Sequence, residues 1–206
     1  LGYTSRVDEQ GNITIRGGYS QKLLKTDRFK YKSLKDYGID ENELLKDVTH
    51  IYGIARFDTD FNPDHYIKVE KLAAGDNLPL VRKLIKLNPQ FIQKSENVKK
   101  ALADGDNCKA LQIAGYNAIQ DSDGNILING DYASELRQVE CGINRGIAFS
   151  DLGIDEEALL KNVKYVDGLM SLGQSKLPKF NKDIKVGGMV FLPTGVDTKE
   201  FFADFL

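Results

Sequence analysis

His50, His65, Cys108 and Cys141 are the only imidazoles and thiols in this 206-residue chain. A histidine working as a general base needs a positioned partner within hydrogen-bond reach. Nothing in the spacing supplies one, so both histidines read as structural or surface residues. The two cysteines show neither CxxC nor Cys/His spacing, which sets zinc aside, and they are too few for a disulfide framework. Buried free thiols are the expected state. The sequence contains no GxSxG, no Walker lysine loop and no GxGxxG, the local signatures of a nucleophile elbow, a phosphate loop and a dinucleotide turn. No cofactor is expected.

One acidic stretch, Asp58 Thr59 Asp60 Phe61 Asn62 Pro63 Asp64, carries oxygen ligands at alternate positions, as a calcium loop does. An EF-hand needs Gly where Pro63 stands and Glu where Val69 stands. Asp121 and Asp123 beside Gly124 make a similar half-match. Acidic residues favour turns with or without metal, so solvated turns are expected and no metal site is assigned. With 30 acids in the chain, two carboxylates at the spacing of a glycoside hydrolase pair are always available. A carbohydrate-active enzyme with unidentified carboxylates therefore stays open as an alternative.

The candidate binding residues are aromatic. Tyr3, Tyr19, Tyr116 and Tyr132 offer rings that could stack on a sugar or anchor a protein interface. The competing expectation is that they pack across a hairpin or cover a neighbouring repeat. They stand out because they occupy matching places in an internal duplication. At an offset of 113, Gly2 to Tyr19 lies over Gly115 to Tyr132 with nine of eighteen residues identical. At an offset of 115, Asp36 to Gly53 lies over Asp151 to Gly168 with ten of eighteen identical. Two matches in the same order predict a tandem repeat.

The elements that must position these residues follow from the matched blocks. In the first, Asp8 to Gly11 and Asp121 to Gly124 have turn chemistry, and alternating runs follow at Asn12 to Ile15 and Asn125 to Ile128, so a β-hairpin is expected. In the second, Asp40 and Asp155 are N-caps for short helices with Leu44, Leu45 and Val48, or Leu159, Leu160 and Val163, on the apolar side. Glu43 completes a capping box in the first copy, where the second has Ala158. Strands are expected from Ile51 to Phe57 and from Val166 to Leu172.

Between the copies the sequence predicts helix, break, helix. Leu80, Leu84 and Leu87 share a face before Pro89, and Phe91, Ile92, Val98 and Leu102 continue after it. Asp197 or Thr198 caps a last helix. The expected organisation is a first unit over residues 2–114 and an incomplete second over 115–206, with further repeats expected in a longer parent chain. The fold class is α/β, or α+β.

A shorter rhythm of 20 residues sits inside the second copy. Val166 to Leu172 recurs as Val186 to Leu192, with Leu177 and Phe180 between them. This resembles the short, irregular leucine-rich repeats of bacterial proteins, in which a Leu- or Val-rich strand follows a glycine. The resemblance covers about 27 residues; in the first copy the stretch around Val69 to Gly75 departs from it, and no Asn or Cys marks the usual ladder position. It implies a solenoid that recognises partners across its strand face.

Lys and Arg total 28 against 30 Asp and Glu, a formal charge of −2. That balance gives no field favouring phosphate backbones, so nucleic acid is not an expected partner. The lysines from Lys22 to Lys35, Lys25, Lys30 and Lys32 among them, read as a solvated face. Apolar runs fall far short of a membrane span, and no compartment is assigned. The expected function is non-catalytic binding of a protein or glycan through a repeat-built surface. A structural segment of a larger surface or filament protein is the other alternative.

Overall fold

The computed structural model describes residues 3–20, 22–24, 31–73, 78–140, 142–177, 181–193 and 195–201. Cys141, Lys25, Lys30, Phe180 and the Gly2 that opens the first matched block lie outside the described residues. Strands and helices mix in an α+β arrangement, and the chain divides into two compact units, residues 1–91 with 138–145 and residues 92–137 with 146–206. The division departs from a simple cut at residue 114. From Ile92 onward the helical spacer groups with the second unit, where the Asn107 amide donates to the Ala158 carbonyl.

In the first unit, strands β1 (Thr4–Val7) and β2 (Ile13–Arg16) form an antiparallel hairpin. Its turn is closed by Asp8, whose Oδ1 accepts from the amides of Gln10 and Asn12, both at 2.9 Å. Next come β3 (Tyr19–Ser20) and a small antiparallel pair, β4 (Lys22–Leu24) with β5 (Tyr31–Ser33). Helix α1 (Glu41–Leu45) starts at Asp40, which accepts from the Asn42 amide at 2.8 Å as an N-cap should. Glu43 turns to Lys46 instead of closing a capping box. The nine-residue β6 (Val48–Arg56) then runs parallel to β2 and β3 on one side and to β7 (Lys68–Leu72) on the other. Strand β7 falls where the 20-residue rhythm is not legible.

Side chains alternate across this ladder. The inward row Ile15, Ile51, Val69 is fully paired strand to strand and buried throughout. Burying each such side chain contributes about 1.5–3 kcal/mol. Helix α2 (Leu78–Leu87) buries Leu80, Val81, Leu84 and Ile85, a face one residue broader than the Leu80, Leu84, Leu87 stripe. Pro89 opens α3 (Pro89–Ala103), where its missing N–H costs nothing, and Asn88 caps it by accepting from Gln90 at 2.9 Å. In α3, Phe91 and Val98 are buried while Ile92 is exposed.

The second unit takes up α4 (Asn107–Ala114), the hairpin β8 (Ala118–Gln120) with β9 (Ile126–Ile128), β10 (Tyr132–Ala133), and a further hairpin of β11 (Glu135–Glu140) with β12 (Ile143–Ala148) whose tip, residues 138–145, belongs to the first unit. Helix α5 (Glu156–Leu160) is capped by Asp155, which accepts from Ala158 at 3.0 Å. Strands β13 (Val163–Val166) and β14 (Met170–Ser171) are followed by β15 (Lys185–Val186) and β16 (Val190–Phe191). β9, β13 and β15 pair in parallel, as do β10, β14 and β16. The turn at Asp121 repeats the bonds at Asp8, accepting from Asp123 and Asn125. Helix α6 (Thr198–Phe201) starts at Asp197, which accepts from the Lys199 amide at 2.8 Å.

Both ladders bend at glycine. Gly53 adopts φ +100, and a Cβ there would lie 3.2 Å from the Gly17 carbonyl oxygen. At Gly168 the neighbouring backbone is closer still: a Cβ would stand 2.8 Å from the Gly130 carbonyl carbon, and one at Gly188 would stand 2.9 Å from the Gly168 oxygen.

Candidate functional site

The four tyrosines prove to be inside or half-inside their units. Tyr19 is 2% exposed and Tyr132 is 0% exposed. In the first unit, Tyr19 donates to Glu41 Oε1 at 2.6 Å, and the Asp58 amide donates to Glu41 Oε2 at 2.8 Å. The half-buried Tyr3 packs its ring 5.2 Å from that of Tyr19 and donates to the Ser20 carbonyl. In the second unit, Tyr132 donates to Glu156 Oε1 at 2.7 Å and the Ser175 hydroxyl donates to Glu156 Oε2 at 2.6 Å. Tyr116 lies 5.0 Å from Tyr132 and donates to the Ala133 carbonyl. Burial pushes both the Tyr19 and Tyr132 phenols far above their ordinary value, and burial likewise raises the Glu41 carboxyl.

Each pair therefore ties the first residue of a short helix to the strand beneath it. With their hydroxyls engaged and their rings covered, Tyr19 and Tyr132 present no face for a sugar, and packing is the role this arrangement supports. Sequence reasoning missed Glu41 and Glu156. Their signal was identity in the second matched block, directly after the capping aspartates, where acid is ordinarily credited to the helix dipole.

The other candidates are engaged elsewhere. His65 joins Asp64 to the Val48 carbonyl, with its ring nitrogens at 3.0 and 2.8 Å. His50 stacks on Tyr52 with ring centroids 3.7 Å apart, and burial holds its imidazole below the usual value. Cys108 is buried, which raises its thiol. In the acidic loop, Asp58 accepts from Thr59, Asn62 accepts from Lys83, and Lys35 at 2.7 Å holds the Asp60 carboxyl down at about 2. Among the described residues no three metal-ligating side chains gather around a common point.

What is open is the outward face of the ladders. In the first unit, one registered row runs Arg6, Thr14, His50, Lys68 across four strands. The equivalent row in the second unit runs Ile119, Leu127, Tyr165, Lys185. Ile119 is 52% exposed and Tyr165 37%. Beside the first row lies a cleft of about 630 Å³ lined by Arg6, Asp8, Thr14, Arg16 and Tyr52. No described residue forms an ion pair with Arg6 or Arg16. Asp8 is held below the ordinary carboxylate value, chiefly by the Asn12 amide side chain and then by loop amides, and is ionised near neutrality. Tyr52 is 44% exposed, with one ring face backed by His50.

The cleft thus offers two charged donors, one fixed negative charge, one hydroxyl and an aromatic face. These are the means of binding a ligand. Comparison of the chain with protein-family models, curated proteins and solved structures gives no match. Among the described residues no helix is long and apolar enough to cross a membrane.

Proposed function

We propose that this chain is a non-catalytic interaction module, built as a tandem α/β repeat with a leucine-rich-repeat-like coil, that meets a protein or glycan partner across the outward face of its parallel ladders. The observation that carries this reading is the pair of registered rows. Inward rows Ile15, Ile51, Val69 and Ile128, Val166, Val186 occupy equivalent registers and stay aliphatic. Outward rows in equivalent registers change from Arg6, Thr14, His50 to Ile119, Leu127, Tyr165, while the lysine that ends each row, Lys68 or Lys185, is kept. A frame that holds its core and varies its exposed row is suited to presenting different surfaces on one architecture.

The buried carboxylates Glu41 and Glu156 have both oxygens occupied in fixing helices, which favours binding over hydrolysis. Electrophoresis of the purified chain through gels containing individual neutral and acidic polysaccharides tests the glycan arm. Retardation is expected without release of reducing ends, and Tyr52→Ala or Tyr165→Ala should weaken it while leaving the thermal transition unchanged. Release of reducing ends that vanishes on replacing one carboxylate would show an enzyme instead.

A further inference from the structure

We infer that the cleft formed by Arg6, Asp8, Thr14, Arg16 and Tyr52 takes a carboxylated sugar, a hexuronate unit of an acidic polysaccharide. This rests on the reading of the outward strand face as a binding surface and specifies its ligand.

The charge pattern sets the class. Arg6 and Arg16 both line the cleft and neither has a described carboxylate partner, although the chain as a whole is slightly acidic. A guanidinium presents a planar fork of donors that matches a carboxylate bidentately. Two such forks in one cleft call for an anion. Asp8 limits which anion, because its ionised carboxylate lines the same cleft and its charge opposes a dense negative charge such as a phosphate chain or a sulfated polymer. Both of the Asp8 oxygens accept within the turn, from the Gln10 and Asn12 amides and the Asn12 side chain, so Asp8 contributes a fixed negative charge and the hydroxyl contacts fall to Thr14 and the arginines. The Thr14 hydroxyl, which donates to the Arg6 carbonyl at 3.4 Å, keeps its lone pairs for another.

The shape adds the ring. Tyr52 is half exposed, and the His50 imidazole stacked 3.7 Å behind it fixes its orientation. A fixed aromatic face is a platform for the apolar C–H face of a pyranose at low entropic cost. A single-charged carboxylate, adjacent hydroxyls and one flat apolar face occur together in a hexuronate. A volume of about 630 Å³ accommodates one or two such rings.

Titration calorimetry with oligogalacturonate, its fully methyl-esterified form, a neutral galactan oligomer, inorganic phosphate and single-stranded DNA separates the sources of affinity. Oligogalacturonate should bind and the ester should not. Arg6→Ala and Arg16→Ala should each weaken binding about tenfold or more, as expected for a lost charge-assisted pair, and Tyr52→Ala by a similar factor. Arg16→Lys, which keeps charge without the fork, should recover only part of the loss. All three positions are exposed, and unchanged thermal transitions verify that the variants fold.

Equal binding of ester and acid, binding indifferent to both arginines, or equal affinity for phosphate or DNA overturns the uronate assignment. Absence of oligogalacturonate binding with retained, Tyr52-dependent binding of the neutral oligomer overturns the uronate alone and leaves the interaction module standing. Release of reducing ends from bound oligogalacturonate overturns the non-catalytic reading while leaving the uronate site in place. Failure of every ligand to bind overturns the uronate site, and if no protein partner is retained either, the module reading with it.

Discussion

The first and second units carry the same tyrosine–glutamate tie, yet they hold its far end differently. In the first, the second oxygen of Glu41 is met by the backbone amide of Asp58; in the second, that of Glu156 is met by the side chain of Ser175. A backbone donor is indifferent to side-chain identity, whereas a serine hydroxyl can be lost in one substitution. The contrast extends outward: the first unit's outer row carries arginine, threonine and histidine beside a cleft, the second's isoleucine, leucine and tyrosine, and lysine ends both. The interior is conserved in kind between the units while the means of satisfying it, and the surface above it, are free to diverge.

The largest effect should come from the tie itself. Tyr19→Ala and Tyr132→Ala each remove a buried ring and strand a buried carboxylate, and each should cost about 3–5 kcal/mol of unfolding free energy in urea titrations. Near-equal losses sustain the comparison. A loss confined to one unit would break it.

A smaller loss, about 1–3 kcal/mol, is expected for Ser175→Ala, which leaves Glu156 Oε2 without its donor in a buried setting. No side-chain substitution at position 58 can remove the corresponding amide, so Asp58→Ala should leave the Glu41 tie intact. Equal destabilisation by the two changes would show that the hydroxyl donor to Glu156 is no more vulnerable than the amide donor to Glu41.

The smallest effect is one of slope. Burial raises the Glu41 carboxyl above its ordinary value of 4.5, so the folded chain retains that proton where the unfolded chain has released it. Stability from this group is therefore fullest at and below pH 4.5 and declines as pH rises through the folded value. Glu41→Gln cannot titrate. Thermal melts between pH 4.5 and neutrality should show the variant gaining on the parent chain as pH rises, and parallel curves would count against a raised carboxyl. The exposed acids Asp8 and Asp121, held low in both hairpin turns, act in the opposite sense, losing their contribution as pH falls below the ordinary carboxylate value.

Much of this frame was legible in the residues. The hairpin turns at Asp8 and Asp121 and the caps at Asp40, Asp155 and Asp197 announce themselves because their chemistry is local: a short acid bonding amides two to four residues on. Long-range pairing was harder. Strand Lys68–Leu72 has a charged and apolar mixture without clear period, and its place is decided by β6 beside it. The outward row was not legible because alternation shows that residues share a face without saying which face meets water. Tyr19 and Tyr132 illustrate the ambiguity, since an aromatic at a matched position fits equally a docking platform and a core, and only the glutamates beneath them decide between the two.

The glycines at the ladder bends constrain how such a chain can change. Where Gly168 sits against Gly130 and Gly188 against Gly168, the backbones approach too closely for any side chain. Outer rows can change freely, but a strand lying against the same bend must still bring a glycine to that point. The bend thus acts as a ruler written into the sequence, the mark by which this frame would still be recognised after its surface had been wholly rewritten.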